Sequence, residues 1–225
     1  MKPRHFGSAC ISASIAACGV IPPAFAITSG RTDAFEDGTT QGWSIGAGGS
    51  GPAAPVNVPD GGPAGIGDGF LRLTSLGGAG PGSRLVAFNG AQWTGDYLAA
   101  GLTAVRMDLI NLGTTDLNLG LSLNGSAYTK TFLALPAESG WRTATFSLLP
   151  ADLDAGFGSA ADVLASVNQL RIFHGLPTGV GLPFPGPAVV ASLGVDNIAA
   201  IPEPGTWALL VAGLGITALG ARRRT

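Results

Sequence analysis

The sequence predicts a mainly β protein: a β-sandwich with one short helix, preceded by a signal peptide and followed by a single transmembrane helix. Three observations carry that prediction. Apolar and polar residues alternate with period two in segment after segment, as half-buried strands require. Gly and Pro are abundant, 36 and 16 of 225 residues, which disfavours long helices and supplies tight turns. Two apolar segments stand apart from the rest, one at each end.

The first of these opens with Lys2 and Arg4, runs uncharged from Phe6 to Ile21, and reaches Ala24-Phe25-Ala26 after Pro22-Pro23. A basic start, an apolar run and a small-x-small site make a secretory signal peptide over residues 1–26, with Ala24 and Ala26 marking cleavage. Both cysteines, Cys10 and Cys18, lie inside it. The exported part therefore has no disulfide framework and no thiol nucleophile. No lipobox-like run precedes Cys10.

The exported domain, residues 27–201, is read strand by strand. Phe70 to Leu73 and Leu85 to Phe88 are short candidates. Val105-Met107-Leu109 alternates with Arg106-Asp108. Leu117 to Leu123 alternates without a fault, and Asn124-Gly125 after it is a strong hairpin signal. Tyr128 to Leu135 is the returning strand. Ala144-Phe146-Leu148 alternates with Thr143-Thr145-Ser147, and Leu170–His174 and Ser192–Ile198 complete the set. One segment breaks the period: Val163, Leu164, Val167 and Leu170 fall at helical spacing behind a Ser159-x-x-Asp162 capping signature, which predicts a helix over 160–169. The long segments 46–69 and 175–187 have few apolar anchors and read as exposed, mobile loops.

The C-terminal segment, residues 202–225, begins Pro202-Glu203-Pro204, continues through 16 uncharged residues, 206–221, and ends Arg222-Arg223-Arg224-Thr225. As a helix the span is roughly 24 Å long, against about 30 Å of bilayer hydrocarbon, and the arginines extend its reach by snorkelling. Trp207 falls at an interfacial position, and the arginines hold the C-terminus in the cytoplasm. Pro202 and Pro204 favour extended backbone, which leaves Glu203 on an exposed stub at the outer face. Pro-Glu-Pro, an apolar span and an Arg cluster, in that order, resemble the PEP-CTERM sorting signal, a tail also labelled an ice-binding protein C-terminal domain. The resemblance implies export, anchoring in the inner membrane, and recognition by exosortase, a membrane transpeptidase-like enzyme, in bacteria that make exopolysaccharide. The cell surface or extracellular matrix is the implied destination.

Within the domain, Phe35-Glu36-Asp37-Gly38 followed by Trp43 opens the chain, Trp93 to Tyr97 precedes the central strands, Trp141 starts a strand, and Val195-Asp196-Asn197-Ile198 closes it. This order resembles the jelly-roll domains of carbohydrate-binding modules and of the laminin B (domain IV) type. The resemblance implies a jelly-roll β-sandwich that binds glycan, and a calcium ion tying the first strand to the last through Glu36 and Asp196.

Composition excludes several chemistries. A net charge of −2, and −6 for the exported domain with seven basic and thirteen acidic residues, gives no electrostatic footprint for nucleic acid. His174 is the one histidine of that domain, so a three-His zinc site cannot form and a Ser–His–Asp set has a single possible base. Gly46-x-Gly48-x-x-Gly51 matches the dinucleotide pattern but has no helix after it. Asp60, Asp68, Asp116, Asp152 and Asp154 read as loop and cap residues. Glu36, Asp37 and Asp196 are oxygen donors of the kind calcium takes. Trp93, beside turn residues and Tyr97, is the surface aromatic best placed to stack on a sugar ring. Single Thr129-x-Thr131 and Thr143-x-Thr145 pairs do not make the flat Thr array of an ice-binding surface. The expected protein is thus a non-catalytic glycan-binding or structural sandwich carried to the cell surface. The alternative is a secreted polysaccharide-active hydrolase, which would need two carboxylates, or His174 with a Ser and an Asp, in one concave site.

Overall fold

The computed structural model describes residues 27–46, 53–80, 82–175 and 186–203. Ala24 and Ala26 of the signal peptide, Pro204, the 206–221 span and Arg222, Arg223 and Arg224 lie outside these residues. Among the described residues no helix is long and apolar enough to cross a membrane.

Among the described residues twelve strands follow one another: β1 (Thr32–Asp33), β2 (Val56–Val58), β3 (Phe70–Leu76), β4 (Val86–Asn89), β5 (Leu102–Asn111), β6 (Leu117–Leu123), β7 (Ala127–Thr129), β8 (Leu133–Leu135), β9 (Arg142–Ser147), β10 (Leu153–Ala155), β11 (Leu170–His174) and β12 (Val190–Pro202). They form two antiparallel sheets. The first runs β2-β3-β12-β5-β9, with β1 also on β12; the second runs β10-β7-β6-β11-β4, with β8 on β6. The inward residues of the alternating strands meet between the sheets: Leu71 and Leu73, Val105, Met107 and Leu109, Leu117, Leu119, Leu121 and Leu123, and Leu170 and Ile172 share one core.

Most expected strands are present, and the departures have local causes. The Asn124-Gly125 turn forms, both residues at positive φ, closed by Ser126 N–H on Leu123 O at 3.0 Å. The returning strand is broken into β7 and β8: both pair with β6, but two residues out of register with each other, so the residues between them leave the ladder. The helix α1 starts where the capping signature predicts, with both arms of the Ser159–Asp162 box made, but it stops at Leu164. The following residues are claimed elsewhere: Val167 bridges Gly95, and Asn124 Oδ1 accepts Asn168 N–H at 2.7 Å. The expected loop 46–69 contains β2, paired with β3.

Strand β12 carries the feature that positions the carboxylate site. Ala191, Leu193 and Val195 face the core, and then Ile198 and Ala200 do, so the inward parity changes between them. The register against β5 slips between Asp196 and Ala199, and Asn197 takes φ +50°. This is a β-bulge, which re-aims a side chain at the cost of ladder pairing. It leaves Asp196 off the core, directly opposite Asp108 of β5.

Candidate functional site

Glu36 and Asp196, the expected calcium pair, come into one neighbourhood. Phe35 is 1 % exposed and held at φ +58°, a conformation a bulky side chain adopts only under constraint. It turns the chain so that Glu36 Oε1 accepts Gly69 N–H at 3.1 Å. Glycine at residue 69 permits this approach, since a Cβ there would lie 3.0 Å from Phe35 O. Asp196 is 0 % exposed. Its Oδ2 accepts Asn197 Nδ2 at 3.0 Å, and the same amide reaches Asp108 Oδ2 at 3.0 Å. Its Oδ1 is buried with no hydrogen-bond partner. Burial pushes the Asp196 carboxyl up to about 7, and the neighbouring Asp68, Asp108 and Glu36 charges push the same way. Asp196 is thus a buried carboxyl with one oxygen unused and like charges around it. Asp37 is not part of it: its Oδ1 accepts Thr39 N–H at 2.9 Å and Thr39 Oγ1 at 2.8 Å in an exposed turn. Among the described residues no three His, Cys, Asp or Glu side chains converge closely enough to hold a metal by themselves. An ion held by Glu36 and Asp196 would take its remaining oxygens from backbone and water.

The surface aromatic expectation is corrected. Trp93 and Tyr97 are both 0 % exposed, so neither offers a ring face to a ligand. The residue that places them is Asp33, which the sequence reading passed over. This buried carboxylate accepts Trp93 Nε1 at 2.7 Å and Trp43 Nε1 at 2.9 Å on Oδ2, and Arg31 Nη2 at 2.7 Å on Oδ1. Tyr97 hydroxyl donates to Trp93 O at 3.0 Å. The cue was the Trp count itself: a buried indole N–H needs an acceptor. Trp141 donates to Gly61 O at 3.1 Å and meets Phe70 edge-on at 5.4 Å.

An open cleft of about 300 Å³ lies elsewhere, between β9, the edge strand of its sheet, and the break between β7 and β8. Thr129, Thr131, Phe132 and Leu133 line one wall; Ala144, Thr145, Phe146, Ser147 and Asp152 line the other. Both Thr-x-Thr segments therefore contribute to it. Asp152 ends a single 3-10 turn that begins at Pro150, and it is oriented by Ser147 Oγ, which donates to its Oδ2 at 2.6 Å. Phe132 packs edge-on against Phe173, ring centroids 5.6 Å apart. Its ring lies over Gly120 of β6, where a Cβ would come within 2.7 Å of it. Asp152 is the one carboxylate among the lining residues. The two-carboxylate arrangement of a glycoside hydrolase is not assembled from that lining. His174 serves the fold: its Nδ1 accepts Asn118 N–H at 2.9 Å, and burial lowers its pKa.

No curated protein matches the chain. Among solved structures, 79 % of the chain superposes on an exo-β-agarase with a TM-score of 0.53 and 12 % identity, matching 26 % of that enzyme. The same share superposes on the family 11 carbohydrate-binding module from Clostridium thermocellum, solved in complex with a β-1,3-1,4-mixed-linked tetrasaccharide (TM-score 0.49, 12 % identity, 98 % of the module). A cleaved adhesin domain of Lys-gingipain from Porphyromonas gingivalis superposes on 78 % of the chain with a TM-score of 0.45 and 12 % identity, over 99 % of that domain. At this identity the agarase likeness establishes the sandwich fold and nothing further. Behind that sandwich the sequence matches a protein-sorting family: over residues 200–224 the chain carries a PEP-CTERM protein-sorting motif, the mark of a protein exported and sorted to the cell envelope.

Proposed function

We propose that this is a non-catalytic glycan-binding protein of the cell envelope. Its sandwich holds a saccharide in the cleft between β9 and the β7–β8 break. The apolar span 206–221 anchors it in the inner membrane until exosortase processes the tail. The observation that carries the glycan reading is the lining of the cleft. Phe132 and Phe146 supply apolar surface, Thr131, Thr145 and Ser147 supply hydroxyls, and Asp152 is a pre-oriented acceptor, while the buried Thr129 hydroxyl is taken by the Leu121 backbone. A sugar ring has apolar faces and a rim of hydroxyls, so it matches such a mixture of aromatic walls and few oriented polar groups. The cleft is too open and has too few carboxylates to favour the hydrolase alternative.

Calcium belongs to the same proposal as a structural ion. Glu36 and Asp196 would hold it, joining the segment after β1 to β12. Bound there, the cation neutralises the like charges around Asp196. A hard cation wants six to eight oxygens, and the unused Asp196 Oδ1 is one already aimed and desolvated.

The test is direct binding. Titration of the purified protein with β-glucan and agarose oligosaccharides should give saturable binding that Phe132→Ala and Asp152→Asn each weaken by about tenfold, or about 1.4 kcal/mol. Hydrolysis products in the same mixture, abolished by Asp152→Asn, would favour the hydrolase instead.

A further inference from the structure

The sorting motif begins inside the folded domain. Its first residue, Ala200, is 1 % exposed and pairs with Val105 of β5. On its other side, Ala200 N–H donates to Arg31 O at 2.8 Å and its carbonyl accepts Gly30 N–H at 3.1 Å. Ile201 pairs with Ala104, and Pro202 with Leu102 after a one-step slip in register. Pro202 has no N–H to give, and the ladder resumes one residue later, where Glu203 N–H donates to Gly101 O at 2.7 Å. Glu203 is exposed, as the sequence predicts, but its backbone is fastened to the rim of the sandwich rather than free on a stub.

We propose that the processing enzyme reads this motif at the rim of an already folded sandwich and cuts on the C-terminal side of Glu203, so that residues 200–203 remain with the mature protein as the end of β12. A cut before Ala200 would unpair Gly30, Arg31 and Val105 together. A cut within 201–203 would require the strand end to be peeled from β5 before an active site could surround it. The chemistry is acyl transfer: one peptide bond breaks, its acyl carbon passes to a nucleophile of the enzyme and then to water or an amine, and the departing nitrogen takes up a proton. The proposal rests on the exosortase reading and adds to it where the cut falls and in what state the substrate is met.

Two measurements on the full chain test it. Hydrogen exchange of the folded, uncut protein should show the Ala200 and Glu203 amides protected with the rest of β12. A Glu203 amide exchanging at the rate of unstructured chain overturns the rim contact. Mass spectrometry of the protein recovered from a host with its processing enzyme should find a C-terminus at Glu203 or beyond it. A C-terminus at Pro202 or earlier overturns the proposal while leaving sorting by the tail intact. A chain that keeps residues 204–225 in that host counts against cleavage itself, and the proposal falls with it.

Discussion

Two buried aspartates do opposite things in this protein. Asp33 has every oxygen used, by two indoles and a guanidinium, and fastens one end of the core. Asp33→Ala would leave those donors buried without an acceptor, and we expect a loss of about 3–5 kcal/mol in denaturant unfolding. A loss below about 1 kcal/mol would mean that water replaces the carboxylate. Asp196 has an oxygen unused and like charges around it. Its carboxyl titrates higher in the folded state than in the unfolded chain, so the folded state binds more protons between pH 3.8 and about 7. Stability of the metal-free protein should therefore fall as pH rises through that window. Asp196→Asn should flatten the profile and raise the melting temperature of the metal-free protein at neutral pH. Calcium should restore the wild type, by about 2.7 kcal/mol at 100 Kd or several degrees in melting temperature, and should leave Asp196→Asn and Glu36→Gln nearly unmoved. Equal melting curves with and without chelator, in calcium-loaded wild type, would remove the ion from the account.

At the scale of elements, the break between β7 and β8 makes the cleft, and Gly120 makes room for the ring beside it. Gly120→Ala drives a Cβ into the Phe132 ring, and we expect about 1–3 kcal/mol of destabilisation together with weaker saccharide binding. Unchanged binding would separate Phe132 from the ligand. The short helix depends on its cap, and Ser159→Ala should cost about 1 kcal/mol in thermal unfolding. The cap was legible in the sequence because its two residues interact over three positions. So were β6 and its turn, since alternation and Asn-Gly are local signals. The early end of α1 and the break after Thr129 were not, because partners elsewhere in the chain decide them: Asn124 and Gly95 take the helix's next turn, and β7 and β8 pair with β6 two residues out of register. Trp93 and Tyr97 were misplaced for the same reason. Polar neighbours in sequence suggested a surface, while Asp33, sixty residues earlier, draws the indole into the core. Glu36 and Asp196 were legible only through the resemblance to jelly-roll domains, and the bulge that aims Asp196 is visible only in the ladder.

For the whole molecule, the sorting motif and the sandwich share residues 200–203. A fragment of residues 27–203 should be soluble with a β-rich circular dichroism spectrum, and a 27–199 fragment should melt several degrees lower because β12 loses its pairing with Ala104, Leu102 and Gly101. Matching melting temperatures would show that the strand end contributes nothing. Whether the cleft holds a saccharide decides the function. Calorimetric titration of the wild-type protein and of Phe132→Ala with a panel of β-linked oligosaccharides tests it most directly. We expect saturable binding to at least one member of the panel, weakened about tenfold by Phe132→Ala while the melting temperatures stay comparable. Absence of binding across the panel, or binding that Phe132→Ala leaves intact, would contradict it.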